Sequence, residues 1–139
     1  MKQLFTLLFF APLLLSAQTK IAPNWTAEVV LNPNRGNKII LRGENLPKEC
    51  FIIGAKIWQE NGAISLMPAD REAEYCTKEG KISITYDASM YDLKFLFKGT
   101  PVKISLINSG VADLYYPIDG LALQKEVSRA IDVFTADTE

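Results

Sequence analysis

The residues that could do chemistry in this chain are few, and the commonest one is missing. Its 139 residues include no histidine, so the usual general base, and the usual partner of a serine or cysteine nucleophile, is absent. No serine lies in a nucleophile elbow or in Ser-x-x-Lys spacing, and no Gly-rich phosphate loop or dinucleotide fingerprint occurs. Two groups of carboxylates remain, Asp70, Glu72 and Glu74, and Asp87 with Asp92. Paired carboxylates can hydrolyse a glycosidic bond, and a denser cluster can hold calcium. Both groups sit at turn-rich, polar positions without the ligand pattern of a calcium loop, so solvated loops are expected. The expectation is a chain that is not an enzyme and carries no cofactor or metal.

Two aromatic residues are the candidates for binding. In Phe51-Ile52-Ile53-Gly54-Ala55-Lys56-Ile57-Trp58, period-two alternation with Phe51, Ile53, Ala55 and Ile57 toward the core turns Trp58 outward beside Lys56. Tyr115 likewise points away from the side of Leu114, Tyr116 and Ile118. Exposed aromatics beside polar groups suit sugar stacking or a protein hot spot. The alternative for Trp58 is a structural one, closing a second layer of the core.

Cys50 and Cys76 are the two cysteines. In an exported chain an even count suggests a disulfide, worth roughly 3–4 kcal/mol for a loop of this length in the chain-entropy model. Buried free thiols are the alternative. Two sulfurs without histidine fall short of a zinc site.

Export is expected from the first 17 residues. Met1-Lys2-Gln3 supplies a basic start, Leu4 to Leu15 an apolar run, and Ser16-Ala17 a small-residue end, the layout of a secretory signal. The apolar run is short of the ~20 residues that a membrane span needs, which disfavours a retained anchor. Cleavage after Ala17 or Gln18 leaves residues 18–139 as one domain. Fifteen basic against 16 acidic residues, well mixed, indicate neither a nucleic-acid patch nor an anionic-membrane patch. Asn24-Trp25-Thr26 matches the N-glycosylation triplet, which a match this short reaches by chance.

The elements that would position these residues read as short strands. Alternating apolar residues recur from Trp25 to Leu31, Lys38 to Arg42, Phe51 to Ile57, Ile64 to Leu66, Ile82 to Tyr86, Tyr91 to Phe97, Val102 to Leu106 and Leu114 to Ile118. Gly, Pro and Asn clusters separate them, with Asn61-Gly62 and Asp119-Gly120 as two-residue hairpin candidates. The polar link Pro68 to Glu74 has room for a short helical turn. The tail, 121–135, fits a strand or a helix through Leu123, Val127, Ala130, Ile131 and Phe134; a hairpin at Asp119-Gly120 favours the strand. Eight or nine short strands predict an all-β fold, an antiparallel β-sandwich.

The segment Lys98-Gly99-Thr100-Pro101-Val102-Lys103-Ile104-Ser105-Leu106-Ile107-Asn108-Ser109-Gly110 resembles one found in cupredoxins and other immunoglobulin-like sandwiches, where a turn feeds an apolar strand ending in an Asn-x-Gly loop. The resemblance covers about a tenth of the chain and implies architecture alone. Blue copper needs two imidazoles and a thiolate, and Val111 to Tyr116 offers no histidine. The sequence therefore points to a non-catalytic interaction module, periplasmic or secreted. Its expected partner is another envelope or extracellular protein, or a glycan held by Trp58 and Tyr115. A small carboxylate-dependent hydrolase ranks behind both.

Overall fold

A computed structural model describes residues 18–32, 34, 36–46, 51–68, 74–75, 79–108 and 113–138. Alternation does build strands here. In β2 (Trp25–Val30) Trp25, Ala27 and Val29 are buried, and in β7 (Ile82–Ala88) every second residue from Ile82 is. The other strands are β1 (Thr19–Ala22), β3 (Asn37–Gly43), β4 (Phe51–Gln59), β5 (Gly62–Pro68), β6 (Glu74–Tyr75), β8 (Lys103–Asn108) and β9 (Leu114–Pro117). All their pairings are antiparallel. They form one sheet in the order β1-β2-β3-β7-β5-β4-β8-β9, with β6 added to β4.

The sheet is nearly closed. Where its two ends approach, the Asp119 N–H just after β9 donates to the Ile21 carbonyl of β1 at 2.6 Å, and the Trp25 ring of β2 meets the Tyr116 ring of β9 at 5.2 Å. Burial at this seam pushes the Tyr116 phenol above its ordinary value. Inside lie Ile39, Leu41, Ile57, Leu66, Tyr86 and Ile104, all under 2 % exposed.

Three expectations are corrected. The run Tyr91–Phe97 is no strand: Met90–Phe95 is a helix, α1. Ser89 and Asp92 form a capping box there, the Asp92 N–H donating to Ser89 Oγ and the Ser89 N–H to Asp92 Oδ2, and these bonds favour a helical start over an extended chain. Asp119-Gly120 is no hairpin turn, and the tail is a helix, α2 (Gly120–Thr138). Asp119 Oδ1 accepts from the Ala122 N–H at 3.2 Å, capping the first turn, while Leu123, Val127 and Ala130 turn one buried stripe inward. In β4, finally, the register shifts between Ile52 and Gly54. That bulge buries Ile52 and leaves Ile53 39 % exposed, so Ile53 does not face the core as strict alternation required.

Helix α2 packs on β1 and β2 and finishes the sheet edge. The first paired residue of β1, Thr19, faces Ala27, so the β2 edge at Val29 lies past the end of β1. Glu126, 1 % exposed, accepts the Val29 N–H at 2.7 Å through Oε2. Arg129 Nη2 donates to the Val29 carbonyl at 3.0 Å. The two side chains are themselves paired through Nε to Oε1 at 2.8 Å, and this bond raises the Arg129 pKa. Both orphan backbone groups of this edge residue are thereby satisfied from one helix face.

Replacing Glu126 with Leu leaves the Val29 N–H without its acceptor and Arg129 without its partner. A loss of about 2–3 kcal/mol is expected from urea unfolding, and one at least as large for Arg129→Met, which leaves the buried Glu126 carboxylate without its countercharge. Wild-type stability in Glu126→Leu would remove the clamp from the fold's energetics.

Candidate functional site

The two aromatic candidates lie on the outer face of the sheet, where β5, β4, β8 and β9 run side by side. The ladders fix three cross-strand rows. Trp58 faces Ala63 on β5 and Lys103 on β8, which faces Pro117 on β9. One step along, Lys56 faces Ser65 and Ser105, and Ser105 faces Tyr115. Beyond the bulge, Met67 and Ile107 meet over Gly54, whose missing Cβ would stand 3.9 Å from Met67 Sδ and 3.5 Å from Ile107 Cδ1.

Lys103 joins Trp58 to Tyr115. Its Nζ stands 5.2 Å from the Trp58 ring centre and 5.1 Å from that of Tyr115. Lys56 Nζ lies 5.6 Å from the Trp58 centre. Each such contact is worth about 0.5–1 kcal/mol at an exposed site. The indole N–H of Trp58 donates to Ser105 Oγ at 2.9 Å, which fixes the ring plane. Ser105 is only 1 % exposed although it stands on the outer face, while Tyr115 is 55 % exposed. Trp58 is half-buried, so it neither stands free nor closes a hidden layer.

The margin of this face is tied to the fold by backbone bonds. Val102 N–H donates to the Trp58 carbonyl at 2.8 Å, and Ile118 N–H to the Val102 carbonyl at 3.0 Å. What the arrangement can do is hold two ammonium groups and two aromatic rings in fixed relation on an open surface. Nothing in it forms a nucleophile–base pair.

The remaining candidates lie elsewhere. Asp87 is ion-paired with Lys38, and Asp92 is engaged in the α1 cap. These two acids line one cavity of about 370 Å³ with Lys38, Ser65 and Ser89. Asp70 and Glu72 lie outside the described residues, as do Cys50 and Cys76 and the segment 1–17; Glu74 is described in its backbone only, in β6. Among the described residues no group of three or more His, Cys, Asp or Glu could hold a metal ion. Asn24 is exposed in the β1–β2 turn, its Oδ1 accepting from Asn45 Nδ2 at 3.2 Å. A larger cavity, about 530 Å³, opens among Lys20, Pro23, Trp25, Arg42 and Ile82 on the β1-β2-β3-β7 half.

No family model, no curated protein and no solved structure matches this chain. The site rests on its own geometry.

Sequence reasoning found Trp58 and Tyr115 but not Lys103 or Ser105, which connect them. A signal was present: in Lys103-Ile104-Ser105-Leu106 the alternation puts the lysine and the serine on the face opposite Ile104 and Leu106. What one strand cannot show is which neighbour it pairs with.

Ser105→Ala is expected to release the Trp58 indole. Unfolding stability should fall by about 1 kcal/mol, and acrylamide should quench Trp58 more readily, while Trp25, 2 % exposed, stays shielded. Unaltered quenching would show that Ser105 does not hold the ring.

Proposed function

We propose that this chain is an exported, non-catalytic binding module, periplasmic or secreted, and that the outer face of β5, β4, β8 and β9 is its contact surface. The observation that carries this is Lys103, whose Nζ lies between the rings of Trp58 and Tyr115 at 5.2 and 5.1 Å and makes one surface of residues far apart in sequence. Aromatic residues at the centre of a patch are the usual anchors of protein recognition. The partner on this reading is another envelope or extracellular protein. Export is supported by the signal-like layout of residues 1–17. Among the described residues no helix is long and apolar enough to cross a membrane, which leaves strand-built spanning open.

The adjacency of two aromatic rings also favours a second reading, a carbohydrate-binding module that stacks a sugar on Trp58 and Tyr115. As to architecture, we propose an immunoglobulin-like sandwich in the loose sense. Support comes from β5, which pairs over five positions with β4 and over only two with β7. That short junction divides the sheet into β1-β2-β3-β7 and β4-β8-β9 halves with buried residues on each.

A Cys50–Cys76 disulfide belongs to the same proposal. The β4–β6 ladder pairs Phe51 with Tyr75, the immediate chain neighbours of these cysteines, and consecutive Cα atoms are only about 3.8 Å apart.

Trp58→Ala and Tyr115→Ala should keep the wild-type circular dichroism and lose at least tenfold in capture of the partner from an envelope extract. If both variants capture the partner as wild type does, this face is not the contact surface. A glycan array binding wild type and neither variant would select the second reading. For the bridge, a reductant should lower the Tm, and mass spectrometry of the unreduced protein should find the two cysteines in one linked peptide. An unchanged Tm, with both thiols open to alkylation, would overturn it.

A further inference from the structure

The occupant of this face can be narrowed by what already covers its rings. A neutral sugar binds an aromatic residue by laying its apolar side on the ring. At Trp58 the lysines Lys56 and Lys103 stand within 5.6 and 5.2 Å of the ring centre, and Lys103 also stands 5.1 Å from that of Tyr115. A sugar stacking there would have to push an ammonium group off its ring. A carboxylate would not, because it meets the ammonium where the ring holds it.

Charge leads the same way. The ion pairs among the described residues are Lys38 with Asp87, Arg42 with Glu28 and Arg129 with Glu126, none of which involves Lys56 or Lys103. Across β5, β4, β8 and β9 the three rows contain no acid; on β7, Asp87 faces Met67 but is ion-paired with Lys38. Asp113, exposed just before β9, is the nearest acid along the chain to Tyr115 and lies at the corner of the face.

Beside the lysines the face is apolar. Met67 is 61 % and Ile53 39 % exposed, and Ile107 joins Met67 over Gly54. Lys56 and Gly54 are two positions apart on β4, about 7 Å along a strand. A polyuronate supplies carboxylates but no alkyl groups to cover Met67 and Ile53. A protein segment that mixes Asp or Glu with aliphatic side chains supplies both.

Resting on the reading of this face as the contact surface, we infer that its partner is an acidic, aliphatic-rich protein segment, its carboxylates set on Lys56 and Lys103 and its apolar side chains on Met67 and Ile53. Ring contacts hold the two ammonium groups before binding, so little order has to be imposed at that moment.

The test uses labelled peptides of alternating Glu and Leu, the same peptides with Gln for Glu, polygalacturonate, and a neutral glucan, each titrated into the mature protein. The Glu/Leu peptide should bind at least tenfold more tightly than the Gln/Leu peptide. Its affinity should fall steeply with added salt. Lys56→Met with Lys103→Met, which keeps the length of both stems, should abolish the difference. Equal binding of the two peptides, no saturable binding of the Glu/Leu peptide at millimolar concentration, or polygalacturonate or the glucan binding in preference to it, would overturn the inference. Capture of the envelope partner separates this failure from that of the face itself. A partner lost by Trp58→Ala yet kept by the double lysine variant leaves the surface standing and removes the acidic segment; one kept by both removes the surface as well.

Discussion

A nearly closed sheet must finish its edges, and here one residue of β2 decides how. The Val29 N–H and carbonyl face the side on which β1 has run out, and Glu126 and Arg129 take them both. An ion pair of α2 thus stands in for one residue of missing strand. Burying the Glu126 carboxylate costs desolvation. Charge-assisted bonds from Val29 and Arg129 offset that cost, and Thr19 Oγ1 adds a longer one at 3.3 Å. The arrangement holds only if the helix has one rotation and one height on the sheet.

That constraint passes down the chain to the site. With α2 held at Val29, its first residue lies against the turn that enters β8. A Cβ on Gly120 would stand 1.9 Å from the Pro101 carbonyl oxygen, so only glycine lets the helix begin there. Asp119, one residue earlier, bonds across the seam to Ile21. Ile118 then bonds to Val102, and Val102 to Trp58. The rim of the outer face is therefore joined through two successive backbone hydrogen bonds to the corner where the helix starts. Gln124 adds a brace from the other side, donating to the Leu96 carbonyl at 2.7 Å. The face is open to solvent, yet its margin is tied to the fold by backbone bonds.

How much of this was legible in the sequence follows from which periods compete. Where alternation runs against turn residues, as in β2, β5 and β7, strands and facing are readable, and β3 is readable as a strand. Three features escaped. The bulge at Ile52 to Gly54 adds one residue to one strand, which no count of apolar positions within that strand reveals. The segment Tyr91 to Phe97 alternates as far as Phe95, but the Ser89-x-x-Asp92 signal at its start carries helix-start chemistry that outweighs the period. Asp119-Gly120 can open a hairpin or cap a helix, and the next residues settled it, since Leu123, Val127 and Ala130 recur at helical spacing. The pair Glu126 and Arg129 carries no local signal of what it does. Its role depends on a peptide group almost a hundred residues earlier, which only the tertiary structure brings near.

The lysines of the outer face answer a second constraint set by the sheet. A flat face carrying Trp58, Tyr115, Met67 and Ile53 invites non-specific association, and the strands at its margins offer backbone edges. Lys103 and Lys56 lie against the rings and place charge over them, while Pro117 removes one donor from the exposed end strand. The same two ammonium groups that keep neutral apolar surfaces from collapsing onto the rings set the terms on which anything can dock. A partner must bring acceptors for them or lose their contacts with the rings. On the proposed reading, protection of the free face and selection of its ligand are one electrostatic arrangement, built from four side chains whose relative positions are set by the β4–β8–β9 register.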